Sequence, residues 1–535
     1  MKTMSAASLI PYVNKLFQVW RTGKYSKLIV AQALVLAATG LYLYKTLVPP
    51  AKLRQYPSVN YFKLAYYFVT KKDPSQRASE LIIPLLRKNN AKAYVAKFPG
   101  QWNIIIVDPV AAKALLMKTE YFPKTFSLFK ILGDSHPFVK FFGRENVVFS
   151  NGDVWKSQRK VMNPAFRRAV PVQLFGKLMQ KVFGRVDAQQ GKPVVLIDLF
   201  ERMTLDALSL GLFAVDFQAL SDEESEWMRT YTSIRLSFRD TTAFVLPRLE
   251  SFLRHILPSR KQVSRDVDHL NAKLMDMACK RREEIRARRL QSGDATDKKT
   301  DAEKDLLTMI MEGEMDGVGG LSTAEQLRSN LAIFFLAGHD TTANALCFAL
   351  YNLAVHPHIQ EKARQEALRV LGDEPIDICP TAEQCKQLKY IDMFIKENLR
   401  LYGPVGQIGV REATQDMLLG DVFVPKGATV TIDLNAIHRH PDFWQDPDQF
   451  DPERFADDGE SKSHEGLAWI PFSNGGRQCI GMNFSLAEQR VALSMILRKY
   501  NITLPANSIH RSGLQIGSAT SSAPYTLTVS FENRY

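Results

Sequence analysis

Three short clusters in this 535-residue chain combine residue types that can do chemistry. The first is Phe472-Ser473-Asn474-Gly475-Gly476-Arg477-Gln478-Cys479-Ile480-Gly481. Glycines on both sides of the cysteine permit backbone conformations that side chains forbid, and Met482 to Tyr500 reads as an amphipathic helix. Cys479 therefore sits just before a helix N-terminus, where unpaired amides and the helix dipole favour a thiolate. Arg477, two residues upstream, can hydrogen-bond and neutralise an acidic edge of a bound group. A lone thiolate so presented suits an axial position on iron. Zinc is disfavoured, because Cys479 has no cysteine or histidine at ligand spacing beside it.

The second cluster, Ala337-Gly338-His339-Asp340-Thr341-Thr342, places small and polar residues inside an apolar helical stretch. Gly338 lets such a helix pass close to a flat ligand, and Thr341 can turn its hydroxyl onto the carbonyl of the preceding turn, opening a local groove. The third is a set of spaced cations. Trp155 and Arg159 share a helix face at i, i+4, and Glu397 and Arg400 can form a hydrogen-bonded ion pair at i, i+3. Arg454 follows in Phe450-Asp451-Pro452-Glu453-Arg454-Phe455, and Arg411 lies in a predicted strand.

Taken in order, these motifs resemble the cytochrome P450 monooxygenases. The cysteine stretch matches Phe-x-x-Gly-x-Arg-x-Cys-x-Gly, the haem loop of that family, and Ala337 to Thr342 matches its oxygen-binding motif. The resemblance covers almost the whole chain from the first apolar helix onward. It implies a mainly α haem-thiolate fold with a smaller β region, and haem b held by Cys479. Ala337, Gly338, Phe472 and Gly481 would lie against the haem, with Trp155, Arg159, Arg411 and Arg477 toward its propionates. Asp340 and Thr341 would form the proton relay, and Glu397, Arg400 and Arg454 a structural trio locking the core around the cysteine loop. His438, whose family counterpart lies near the cofactor, is read as structural.

The activity implied is hydroxylation of a lipophilic steroid, terpenoid or fatty-acid-like molecule. It uses O2 and NADPH electrons through a cytochrome P450 reductase, with cytochrome b5 as a second donor, in a monomeric catalytic unit. The style of the haem loop resembles fungal members, which leans toward a steroid or terpenoid. Two alternatives stay open: a haem-thiolate isomerase or dehydratase acting on a peroxide, and a non-catalytic membrane haem protein. The first usually lacks the acid-alcohol pair that Asp340 and Thr341 form here.

The elements that must position these residues are mostly helices. Behind Ser322-Thr323-Ala324-Glu325, which reads as a capping box, a helical pattern runs to about His356-Pro357, a length of ~50 Å. Asn151-Gly152-Asp153 signals the start of the Trp155 helix. Ala93 to Phe98 and Asn103 to Val107 read as a strand pair, and Gly420 to Pro425 and Thr429 to Leu434 as further strands. Phe122 to Phe142 is an aromatic loop whose phenylalanines read either as core or, since in the family this loop covers the substrate, as pocket lining. Phe238 to Leu257, and the Ser/Thr-rich Ile516 to Pro524, are expected to add pocket or membrane loops. Gln291 to Lys304 reads as a flexible insert.

Composition sets the surroundings. Hydrophobic residues make up 45% and charged residues 23%, ordinary for a globular chain. The five cysteines have no disulfide spacing, which favours a reducing compartment. Leu28 to Val48 is apolar enough to cross a bilayer, and Pro49-Pro50 reads as a stiff exit. The expected division is therefore an N-terminal segment 1–27, an anchor 28–48, a proline hinge 49–60 and a catalytic domain 61–535. The resemblance places that domain on the cytosolic face of the endoplasmic reticulum. A net charge of +13, scattered along the chain without a nucleic-acid motif, points to anionic lipid and an acidic partner rather than nucleic acid. Lys156 and Lys160 belong to the basic surface expected to receive the electron donor.

Overall fold

A computed structural model describes residues 27–70, 72–97, 101–167, 170–238, 252–253, 256–292, 304–317, 323–517 and 522–535. Helices dominate. The principal ones are α1 (Lys27–Leu47), α2 (Tyr61–Val69), α3 (Gly152–Arg167), α4 (Val172–Asp187), α5 (Leu196–Leu208), α6 (Glu226–Phe238) and α7 (Pro258–Ser292). They continue with α8 (Ala324–Val355), α9 (Pro357–Leu371), α10 (Lys389–Tyr402) and α11 (Met482–Lys499).

Among the described residues two helices are long and apolar enough to span a membrane, and burial separates them. The candidate Ala31–Leu53, which takes in most of α1, is 6% buried, whereas α8 is 78% buried inside the protein. α8 is thus the central core helix. Its cap falls one residue later than Ser322: the Thr323 side chain accepts from the Gln326 amide at 3.1 Å. Glu325, expected to complete a capping box, pairs with Arg328 instead. α5 crosses α8 closely because Gly338 has no side chain. A Cβ there would lie 2.4 Å from Leu208 Cδ1.

The small lobe is a four-stranded sheet of β1 (Ala93–Lys97), β2 (Trp102–Ile106), β3 (Gln407–Glu412) and β4 (Thr429–Asp433), in the order β1-β2-β4-β3. β1 and β2 pair antiparallel with Ala93 opposite Ile106, and β2 and β4 run parallel with Asn103 opposite Thr429. β4 is β-branched at four of its five positions and buried throughout, as a strand covered on both faces should be. The register of β3 on β4 shifts between Ile408 and Arg411. Such an irregularity re-aims a side chain, and Arg411 ends up buried.

The aromatic loop takes the core alternative. The aromatic loop folds into short helices Ser127–Leu132 and Pro137–Phe142, whose rings pack on one another. Phe129 and Phe149 have centroids 4.8 Å apart, and Phe138 and Phe142 4.5 Å apart. These rings satisfy each other in a local core and do not line the cavity described below. Ile516 and Ala523, which flank the Ser/Thr-rich loop, are buried and not in the cavity wall, while the Ser522 amide donates to the carbonyl of Pro404 in that wall at 2.8 Å. Residues 518–521, most of Phe238 to Leu257 and most of Gln291 to Lys304 lie outside the described residues.

Candidate active site

The cysteine loop is held at its entry and along its length. Trp469 Nε1 donates to the Lys396 carbonyl at 3.0 Å, and the Ile470 amide donates to His438 Nε2 at 3.2 Å. His438 Nδ1 in turn meets the Arg400 carbonyl at 3.1 Å. Burial, then Arg400 and Arg439, push this imidazole down to about 3, so it is neutral and bridges the loop to α10 as a structural residue. Within the loop the Cys479 amide donates to the Phe472 carbonyl at 2.9 Å, and a turn of 3₁₀ helix covers Gly475–Arg477. Gly475 has φ +67°, where a Cβ would also press on the Leu116 carbonyl at 3.0 Å.

Cys479 is surrounded by protein, yet its sulfur opens onto an internal cavity and is accessible there. Burial raises the thiol, outweighing the Gly481 amide and Arg159, which lower it. Burial thus works against the thiolate that the helix terminus favours, and a bound metal cation would favour it.

The cavity, of about 340 Å³, runs from Cys479 to α8. Its walls include Ala337, Gly338, Thr341, Phe472 and Gly481, as the sequence suggested, together with Val148, Phe166, Leu208, Leu212 and Phe334, which it did not. Thr341 Oγ1 donates to the Ala337 carbonyl at 3.0 Å, and Thr342 Oγ1 meets Ser485 Oγ of α11 at 2.9 Å. Asp340 is buried but is not part of the cavity wall. Its backbone carbonyl accepts from Asn344 Nδ2 at 2.7 Å.

Three cations converge beside the cavity: Lys124 and Arg477 in its wall, and Arg411 behind them, outside the wall. Arg411 donates to the Phe122 carbonyl at 3.1 Å, leaving Nε and Nη2 without partners. Arg477 donates to the Ser150 carbonyl at 2.8 Å and lies 3.9 Å over the Trp155 ring, leaving Nε and Nη1 without partners. Lys124 lies beside them, its strand bridged to Arg411. Among the described residues no carboxylate pairs with any of the three. Burial, then Arg411 and Arg477, pull Lys124 down to about 7. Burial and neighbouring arginines pull Arg477 down to about 9, and burial alone brings Arg411 to about 10. The guanidiniums stay charged in water, so these depressions measure the penalty of burying like charges together. Lys124 is the functional candidate that sequence reasoning missed; its only signal was one lysine inside an aromatic run.

Arg159 sits elsewhere, donating to the Gln478 carbonyl at 2.8 Å next to the cysteine. The remaining trio is assembled. Arg400 Nε and Nη2 meet the two Glu397 oxygens at 2.7 and 2.8 Å, both side chains fully buried. Arg454 Nε stands 3.5 Å from Glu397 and makes its closer ion pair with Glu460.

A single cysteine facing a largely apolar cavity under a helix that carries an acid and an alcohol is the arrangement of a haem-thiolate protein. The comparisons give its family. The family model described as Cytochrome P450 matches residues 77–529. "Cytochrome P450 4F12" of Homo sapiens is 31% identical over 380 residues, 70% of this chain and 71% of the relative. "Cytochrome P450 4A24" of Sus scrofa is 27% identical over 485 residues, 88% and 90% respectively, and "Cytochrome P450 3A11" of Mus musculus 29% over 418, 76% and 78%. The crystal structure of the cytochrome P450DA heme domain shares the fold, with TM-score 0.71 and 23% identity over 90% of this chain and 98% of that one. The chain belongs to the cytochrome P450 family and is a cytochrome P450 monooxygenase. The family's cofactor is a haem held by a cysteine thiolate, with electrons drawn from NADPH through a reductase. The residues present fit that group: one accessible sulfur, a cavity beside it, and an edge of buried cations whose orphaned donors call for a carboxylate-bearing ligand.

Proposed function

We propose that this protein is a membrane-attached monooxygenase that hydroxylates a lipophilic small molecule of steroid, terpenoid or fatty-acid size. The observation that carries the reading is the cavity itself, whose wall combines Cys479 and Thr341 with mainly apolar side chains. Haem bound to Cys479 supplies activation of O2, which consumes two electrons and two protons per oxygen atom inserted.

The chain's own residues do the rest. Lys124, Arg411 and Arg477 hold the acidic edge of the cofactor, and Trp155 fixes Arg477 by stacking. Arg159, through the Gln478 carbonyl, steadies the backbone beside the sulfur. Phe166, Leu208, Leu212 and Phe334 exclude water and hold the apolar guest. Thr341 holds a proton at Oγ1, parked on the Ala337 carbonyl, and Asp340 resupplies it. The Glu397, Arg400 and Arg454 trio locks α10 to the segment that leads into the cysteine loop.

α1 serves as the anchor and residues 49–60 as the hinge, with the catalytic domain on the cytosolic face of the endoplasmic reticulum. Lys156 and Lys160, exposed on α3, face an acidic flavoprotein donor, NADPH-cytochrome P450 reductase, with cytochrome b5 as a second donor.

The test is the Thr341→Ala variant, with product, hydrogen peroxide and NADPH measured together. Substrate binding and the first reduction should persist. Product per NADPH should fall while peroxide rises, on the scale of about 100-fold that positioned proton transfer commands. An enzyme that rearranges a peroxide receives its oxygen already reduced and would be indifferent. Unchanged coupling would therefore overturn the relay.

A further inference from the structure

α8 and α11 meet at the cavity through polar side chains that the relay does not use. Thr342 Oγ1 and Ser485 Oγ stand 2.9 Å apart and join the two helices directly. One turn further along α11, Gln489 Nε2 donates to Ser485 Oγ at 3.2 Å and to the Ser485 carbonyl at 3.3 Å. A carbonyl can only accept, so the second contact fixes which end of the amide faces Ser485. Gln489 is fully buried, and its Oε1 has no protein partner. Thr342 is buried as well, and all three residues belong to the wall of the cavity that Cys479 and Thr341 share. Valine, alanine and leucine would fill these three places without the desolvation penalty of buried polar atoms. The polar choice therefore points to a role beyond filling space.

The two ends of this link belong to the two halves of the site. Ser485 lies in the first turn of α11, and its amide donates to the Gly481 carbonyl at 2.9 Å, so it moves with the loop that presents Cys479. Thr342 follows Thr341 directly in α8. The Thr341 hydroxyl is bonded to the Ala337 carbonyl of its own helix, so it stands wherever α8 stands. α8 is 32 residues long, and a hydroxyl turned onto the preceding turn loosens and bends a helix locally, which makes this the turn most in need of outside support. We infer that Thr342, Ser485 and Gln489 form a clasp that fixes the distance between the Thr341 turn and the Cys479 loop. They are positioning residues that act through Thr341, and for its effect on coupling the inference rests on the relay reading. Gln489 holds Ser485 in the orientation that reaches Thr342, and Ser485 holds the turn. A hydrogen bond weakens steeply away from its geometry, whereas apolar contact between the same helices would let them slide. At a reacting centre a displacement of about 1 Å is enough to cost about 100-fold in rate.

The experiment uses the full, haem-loaded chain and the variants Thr342→Val, Ser485→Ala, the two combined, Gln489→Leu, Thr342→Ser and, as the reference for the relay, Thr341→Ala. Three quantities are read for each: the stretching band of carbon monoxide bound to the reduced protein, which senses where the side chains facing it stand, product per NADPH, and the thermal midpoint. The red-shifted Soret band shows that each variant is folded and loaded. Thr342→Val and Ser485→Ala should each broaden or split the carbon monoxide band and lower product per NADPH by about 5-fold, the scale of one neutral hydrogen bond. The double variant should do no more than either single one, because both remove the same bond. Gln489→Leu should change the band in the same way and by less. Thr342→Ser keeps the hydroxyl and should keep both readouts at their wild-type values. A pair that only stabilises the core would lower the midpoint in the single variants and leave the band and the coupling alone. That pattern, or a double variant whose effects are the sum of the singles, overturns the inference. The two readings fail separately. If Thr341→Ala uncouples the enzyme while Thr342→Val does not, the relay stands and the clasp falls. If Thr341→Ala keeps its coupling, the relay falls, and an unchanged carbon monoxide band in Thr342→Val and Ser485→Ala is then what overturns the clasp.

Discussion

Glu488 lies nine residues beyond Cys479 on α11, fully buried, and both its carboxyl oxygens lack a partner. Burial alone raises its pKa well above the usual carboxylate value of 4.5. The sign of the linkage follows. Between pH 4.5 and the folded-state pKa, the unfolded chain has released this proton and the folded chain keeps it, so stability falls as pH rises through that window. The loss is about 1.4 kcal/mol per pH unit, or roughly 3 kcal/mol by pH 7 for a group that stays protonated there. Glu488→Gln preserves shape and removes the titration. Its second amide hydrogen adds a buried donor that costs about 1 kcal/mol. A net gain of about 2 kcal/mol at pH 7 remains, which for a chain of this size is about 2 °C in midpoint. Thermal unfolding of the haem-loaded wild type and variant from pH 5.5 to 8 should show a gain that grows with pH and vanishes toward the acid end. A variant destabilised equally at every pH would mean that Glu488 is ionised and paired, and would refute the argument.

Other outcomes follow from the site. Cys479→His should abolish the red-shifted Soret band of the reduced, carbon monoxide-bound protein; its retention would assign the ligand to another cysteine. Lys124→Met should speed haem loss to a scavenger protein by about 10-fold or more, the scale of one charge-assisted hydrogen bond, while an unchanged rate would place the propionates away from Lys124. Deleting Met1 to Val48 should leave the haem spectrum intact, although Lys97 and Trp102 lose their bonds to the Lys45 carbonyl. Residual membrane attachment is expected through Phe62, Tyr66 and Val69, an exposed apolar face of α2, and loss of haem would show that anchor and core are inseparable.

What could be read from the sequence was local. The Cys479 loop, the Asp340-Thr341 turn and the Glu397-Arg400 pair are each written in a few consecutive residues, and α8 and α11 announce themselves through periodicity. The aromatic loop left core and pocket both open because composition says that phenylalanines will be buried without saying against what; here they bury one another. Gly338 was read as making room for a ligand, and its nearest obstacle is Leu208, from a helix more than a hundred residues earlier. The ion pair between Glu201 and Arg235, 34 residues apart on different helices, carries no mutual signal in the sequence at all.

The cationic edge shows why that long-range part matters most. Lys124, Arg411 and Arg477 come from three distant segments, and only the fold brings them together, unopposed by any acid among the described residues. Opposite charge within a protein normally offsets such burial. In the proposed function the offset comes from a ligand bearing carboxylates, and a ligand that binds the folded chain alone stabilises it by mass action. The sulfur of Cys479 accounts for one side of that linkage and was legible. In the proposed reading the three cations account for the other, because their unpartnered donors would be satisfied by the acidic edge of the cofactor.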